Sequence, residues 1–306
     1  MIIYKYLDQK GAEKTIKKNS VLLRTPDKYN DPFDCLYYST KEEKDKAFDL
    51  YMNYQCFVEF YNLLIVNPNK VTKNQLLAKI QRPHLKAIAQ DISKEKAYKY
   101  DKEIATYYQL YKVLFKKNEG GLRKAFDKII DSVFEKIKQS LLVACFSLKN
   151  DSILMWSHYA DNHKGACIEF EIDDDKYFKP VYCKKDVPNF QLTKLLEYML
   201  GSDFLKKELD YDDESLLFAV EPLLTKSEDW HYEQEIRCAF SIKKRDKRIF
   251  DYRKKTLLKM PKIKRIILGC KSDKDFVNKI KGISGDIPIQ KMGMVKGKYK
   301  LVIEKL

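Results

Sequence analysis

Two textures alternate along this chain, and one lies inside the other. Residues 1–40 and 141–306 hold short apolar runs bounded by turns, among them IIYKYL, LLVACFSL, GACIEFEI, HYEQEIRCAFSI and IKRIILGC. Runs of this length and alternation are strands that bury one face or both. Residues 41–140 instead carry Lys, Glu, Ala and Leu at helical spacing, interrupted near Asn67-Pro68-Asn69, Arg82-Pro83 and Glu119-Gly120-Gly121. That block reads as about four or five amphipathic helices. Its aromatics (Phe57, Phe60, Tyr61, Tyr107, Tyr108, Tyr111, Phe115) recur at the interval of a packed helix face. The expected architecture is α+β, a core with a mixed or antiparallel sheet formed by 1–40 and 141–306, interrupted by a helical insertion at 41–140.

Within the core, GAEKTIKK suits a short helix between two strands, and TPDKYNDPFDC forces a shaped loop. SILMWSHYADNHK reads as a short helix, the stretch around Phe190–Leu209 as another, and SDKDFVNKIKGI as a third, capped by Ser272. IPIQKM and KLVIEKL close the chain as strands.

Charge narrows the partners. Lys and Arg number 59 against 44 Asp and Glu, a formal net charge of +15. A field of that sign attracts phosphates, on nucleic acid or on a dinucleotide, although the lysines are spread over nearly every segment. The seven cysteines are odd in number, scattered and without a CxxC pair, which argues against a disulfide framework and a zinc ribbon. No apolar run reaches the roughly 18–20 residues of a membrane span, and the first ten residues lack the pattern of a signal peptide. The expectation is a soluble, cytoplasmic protein.

Familiar nucleotide motifs are missing. Gly is only 10 of 306 residues, and neither GxxxxGK[ST] nor GxGxxG occurs. His158, His163 and Cys167 match no common metal spacing, so no metal site is expected. Three polar clusters remain. Asn30-Asp31-Pro32-Phe33-Asp34 can close a tight turn on its own side chains or hold a carboxylate at a pocket rim. Met155 to Gly165 places Trp156 under the sheet and leaves Tyr159 and His163 as ligand contacts. Trp230 to Arg237, read as a strand, lines Glu233, Glu235 and Arg237 along one face and Ile236, Cys238 and Phe240 along the other. Glu169 and Glu171 share that spacing opposite Ile168, Phe170 and Ile172, and read as solvent-exposed.

Taken in order, Tyr4-Lys5-Tyr6, Asn30 to Asp34, Cys145-Phe146-Ser147, Met155 to Phe170 and Trp230 to Arg237 resemble domain-of-unknown-function family 2971, a bacterial family. Its members look like companions of abortive-infection and phage-defence genes, which implies a defence effector with a phage-derived trigger. The opening strand, the Phe-Ser strand end and the Glu-x-Glu strand are also similar to the ADP-ribosyltransferase layout, with Lys5 where that fold usually carries His or Arg. This second resemblance implies NAD as substrate. Glu235 would then stabilise positive charge on the ribose while Glu233 orients the acceptor, a protein or nucleic acid. Lys5 and Arg237 would hold pyrophosphate, Tyr159 or Tyr6 would stack on nicotinamide, and Asn30, Asp31, Ser147 and His163 would complete the cofactor site. Two other readings stay open. One is a magnesium-dependent nuclease, from Pro26-Asp27 and Glu42-x-Lys44; the other is a non-catalytic sensor of nucleic acid or a phage protein.

Overall fold

The computed structural model describes residues 1–66, 116, 119–173, 177–200, 220–242, 248–250 and 256–305. In chain order the elements are β1 (Ile2–Leu7), α1 (Gln9–Lys18), β2 (Ser20–Leu22), α2 (Lys41–Val66), α3 (Glu119–Ser140), β3 (Leu141–Ser147), α4 (Ile153–Tyr159) and β4 (Ala166–Glu171). There follow β5 (Phe178–Pro180), β6 (Tyr182–Lys184), α5 (Leu192–Leu200), β7 (Thr225–Ser227), β8 (Glu235–Ser241), β9 (Ile249–Phe250), β10 (Leu257–Lys259), β11 (Ile263–Leu268), α6 (Lys274–Ser284), β12 (Ile289–Met294) and β13 (Leu301–Lys305). The class is α+β with a large mixed sheet. The chain forms two compact units, one of residues 1–36, 136–188 and 210–306, the other of residues 37–135 and 189–209.

The first unit is built on an eight-stranded sheet in the order β13-β12-β11-β4-β1-β3-β8-β5, in which only β11 and β12 run parallel. Alternation along the strands gives the sheet two unlike faces. Ile3, Leu142, Phe146, Ile168, Phe170 and Ile236 share one apolar core with Ala12 and Ile16 of α1 and Phe276 and Ile280 of α6. On the opposite face, Tyr6, Cys167, Ile267 and Met292 pack against Met155 and Trp156 of α4. Farther along that second face the side chains become polar.

Caps set the helix ends. Asp8 accepts from the Gly11 amide at 2.5 Å and starts α1, and Asn19 ends it in the left-handed region at φ 45°. Asp273 caps α6 through the Phe276 amide at 2.7 Å. Ser272 was the expected cap, but its hydroxyl donates to the Lys164 carbonyl instead. β8 is also shorter than the sequence suggests. Glu228–Glu233 is a 3-10 turn ended by Gln234 at φ 42°, and the strand begins at Glu235. Glu169 is a further correction, since it is buried and paired with Arg265 of the adjacent strand while Glu171 remains exposed.

The second unit is helical in its described parts. Tyr37, Phe134 and Phe190 form an aromatic group with centroids 5.0–5.3 Å apart. Glu43 of α2 accepts from the Thr193 amide and hydroxyl in the first turn of α5. α3 starts at Glu119, so Gly120 and Gly121 lie inside its first turn. Tyr107, Tyr108, Tyr111, Phe115 and the breaks at Asn67–Asn69 and Arg82-Pro83 lie outside the described residues, as do the side chains of Phe57, Phe60 and Tyr61.

After α4 the chain turns back through Asp161, Asn162 and His163, all left-handed at φ 49°, 50° and 69°. Gly165 closes that turn, and a Cβ there would lie 2.1 Å from the Leu7 carbonyl oxygen. Gly165→Ala must push backbone aside and should lower stability by about 3 kcal/mol or more. Gly282, inside α6, has open space around its Cα. Gly282→Ala should raise stability by about 0.5–1 kcal/mol. Urea unfolding midpoints of both variants test the pair.

Candidate functional site

The polar stretch of the second face starts where β3 and β8 pair. Cys145 stands opposite Arg237, and Ser147 opposite Glu235. Because Ile236 and Cys238 point into the apolar core, Glu235 and Arg237 must point the other way, as the alternation predicts.

Arg237 is 1% exposed. A guanidinium this deep is stable only if every donor is matched. Nε and Nη2 donate to the two Glu235 oxygens at 2.8 and 3.1 Å, and Nη2 also donates to Asp34 Oδ2 at 2.7 Å. Nη1 donates to the Leu223 carbonyl at 2.7 Å and lies 3.2 Å from Cys35 Sγ. All five N–H groups are used.

Lys226, on β7, supplies the second buried cation. Its ammonium donates to Glu233 Oε2 at 2.7 Å and Glu235 Oε2 at 3.1 Å, and lies 3.8 Å from Asp34 Oδ2. It also sits 4.6 Å from the centre of the Trp230 ring. Glu233 closes the 3-10 turn before β8, with its main-chain carbonyl held by the Ser147 hydroxyl at 2.6 Å. Its other carboxylate oxygen, Oε1, accepts from the Tyr159 hydroxyl at 2.7 Å. Beside this carboxylate the rings of His158, Trp230 and Tyr232 stand 6.0–6.5 Å apart, partly exposed.

The two glutamates titrate in opposite directions. Burial alone would raise the Glu235 carboxyl, but Arg237 and then Lys226 outweigh it and hold it at about 2. Glu233 is raised, because burial outweighs the single ammonium it faces. Burial and the neighbouring Glu233 push the Tyr159 phenol up as well, so it stays a donor.

Of the residues expected from sequence, the structure brings together Glu233, Glu235, Arg237, Tyr159 and Ser147. Lys5 lies at the margin. β1 meets β3 in register only at Tyr4 and Ser147, and the Lys5 ammonium donates to the Cys145 carbonyl at 2.6 Å. Burial lowers its pKa. Four residues lie elsewhere. The Tyr6 ring packs edge-on against Trp156, and its hydroxyl donates to the Lys149 carbonyl. The His163 ring lies nearly parallel to that of Trp156, at 13° with centroids 6.4 Å apart, and its Nε2 pairs with the Ser157 hydroxyl at 3.0 Å. Asn30 is exposed, and Asp31 accepts from the Phe33 amide two residues on, closing its own turn. Asp34, at the end of that motif, is the residue that reaches Arg237. Lys226, Cys35 and Cys145 join the site without a sequence signal of their own; Lys226 lies in a polar run whose only pointer is two glutamates seven and nine residues later.

The segment from Met155 to Cys238 therefore carries both glutamates, both cations and Tyr159. Residues 155–238 match the family model described as "Protein of unknown function (DUF2971)". That segment is where the chain is similar to the family. Asp34, Cys35, Cys145 and Ser147 lie outside the matched segment and complete the cluster. No curated protein and no solved structure matches the chain. Among the described residues no group of three or more His, Cys, Asp or Glu is placed to hold a metal ion. Among them, too, no helix is long and apolar enough to cross a membrane.

Removing Arg237 strands two carboxylates in the interior. Arg237→Ala should cost about 3–5 kcal/mol in urea unfolding, as breaking a buried pair does. Titration gives a second test. Glu235, held below the ordinary 4.5, contributes stability that is present above that pH and lost as pH falls toward 2. Glu233, held above 4.5, contributes stability that is present below that pH and lost as pH rises through its folded value. Glu233→Gln should therefore lose less stability relative to wild type at pH about 8 than at about 4, and Glu235→Gln should flatten the acid limb. Unfolding free energies measured across that range check both signs.

Proposed function

We infer that this protein breaks an N-glycosidic bond in NAD, as an ADP-ribosyltransferase or a glycohydrolase, acting as an effector of anti-phage defence. The observation that supports the reading is the pair Glu233 and Glu235, bridged by one ammonium and driven to opposite protonation tendencies. Glycosidic cleavage needs a fixed negative charge and a group that carries a proton, and two carboxylates whose environments split their pKa values supply both. Glu235 is the permanent anion. Both of its oxygens are taken by Arg237 and Lys226, so its part is to fix Lys226 and the local field. Glu233 is the better candidate to face the sugar, because each of its oxygens accepts one bond and keeps a lone pair. The partly exposed rings of His158, Trp230 and Tyr232 offer a stacking surface for a flat heterocycle beside it. The setting in defence rests on the family resemblance, and the acceptor would be protein or nucleic acid.

Mass spectrometry of NAD incubated with the purified protein, with nucleic acid and cell lysate as acceptors, tests this. The expected result is loss of NAD with free ADP-ribose or an ADP-ribose adduct. Glu233→Gln should slow turnover by about 10²–10⁴-fold, the usual worth of a positioned acid or base, while circular dichroism stays unchanged. Unchanged NAD with wild-type protein, or full turnover in that variant, would overturn the assignment.

A further inference from the structure

The β12–β13 hairpin presents a charged tip that nothing in the fold uses. Met292 and Leu301 anchor its base in the core under α4. Beyond them the chain reads Met294-Val295-Lys296-Gly297-Lys298-Tyr299-Lys300. The turn is closed by the Lys298 amide on the Val295 carbonyl at 3.2 Å and the Val295 amide on the Lys300 carbonyl at 3.0 Å. Gly297 takes the left-handed position at φ 74°. The tip is thus a defined turn, with Lys296, Lys298 and Lys300 all exposed and the Tyr299 side chain 102% exposed.

The charge there is uncompensated. Residues 291–305 hold five lysines and a single acid, Glu304. Glu304 folds over Gly293, where a Cβ would lie 1.8 Å from its Oε1, and so lies back along the ladder from the tip. Among the described residues no carboxylate pairs with Lys296, Lys298 or Lys300. Lysines that guard a sheet edge lie along the edge strand; these three crowd around the turn and flank an aromatic ring. Cations for phosphates beside a free ring for a base are the two components of single-strand recognition.

We propose that this hairpin tip binds single-stranded nucleic acid, with the three lysines on successive phosphates and Tyr299 stacked on a base. Anionic lipid is the competing occupant, and the test separates the two. The proposal is independent of NAD cleavage and does not need it.

The test is fluorescence anisotropy of a labelled mixed-sequence single-stranded oligonucleotide with the full-length protein. Three phosphate contacts predict a slope of about −2 in log affinity against log salt. Tyr299→Ala should weaken binding about tenfold. The triple variant Lys296→Glu, Lys298→Glu, Lys300→Glu should lose binding at moderate salt and remove most of that slope. All four side chains are exposed, so thermal melts should match wild type. Wild-type binding that the variants leave intact, or no wild-type binding, would overturn the proposal. So would variants that lose binding to phosphatidylserine vesicles while keeping the oligonucleotide, an outcome that assigns the tip to lipid.

Discussion

A guanidinium buried to 1% exposure makes demands on every segment near it. Left unpaired, that charge would destabilise the fold by several kcal/mol. Arg237 meets the demand by drawing together parts of the chain that are remote in sequence. Glu235 comes from its own strand, Asp34 and Cys35 from the loop after β2, and the Leu223 carbonyl from the turn before β7. The loop must therefore be stiff enough to deliver Asp34. Its Pro26 turn, the Asp31 side-chain turn and the left-handed Cys35 at φ 54° provide that stiffness. The interaction also sets the balance of charge. Three carboxylates meet two cations, and Glu233, farthest from the guanidinium in this bonding scheme, is the acid left with only an ammonium and a phenol.

Strand alternation is a local property, so the sheet was legible in the sequence. β1, β3, β4 and β11 fall where the apolar runs place them, and Glu235 and Arg237 share the polar face. Whether a polar side chain on such a face is solvated or paired depends on which strand lies next to it. Glu169 shows this: its alternation reads as exposure, and only the register of β4 against β11 brings Arg265 beside it. Lys226 is not legible in the sequence for the same reason. No spacing rule links it to Glu233 and Glu235, because the 3-10 turn between them sets the approach. The motif Asn30 to Asp34 reads as a unit in the sequence, but its parts divide the labour. The first acid closes the turn and the last acid enters the site, a division that depends on the direction in which the loop leaves Pro26.

The matched segment and its complement divide along the same line. Residues 155–238 supply the glutamates, the cations and Tyr159, which could carry chemistry. The residues outside it, Asp34, Cys35, Cys145 and Ser147, mostly hold those groups in place. Ser147 fixes the Glu233 main chain, and Asp34 and Cys35 occupy donors of Arg237. Cys145 belongs to the same supporting set, its thiol pushed up to about 12 by burial and by Glu235, so it is a neutral neighbour rather than a nucleophile.

Distance separates this cluster from the basic hairpin. In the strand order β12 lies five steps from β8, with β11, β4, β1 and β3 between them. At about 4.8 Å per strand the two are roughly 24 Å apart, some three Debye lengths at physiological salt. The lysines at the tip therefore do not set the protonation of Glu233; that is fixed by burial and by Lys226 at 2.7 Å. Any link between a strand held at the hairpin and chemistry at Glu233 must be made by the length of the bound polymer, because the field of the tip does not reach the site.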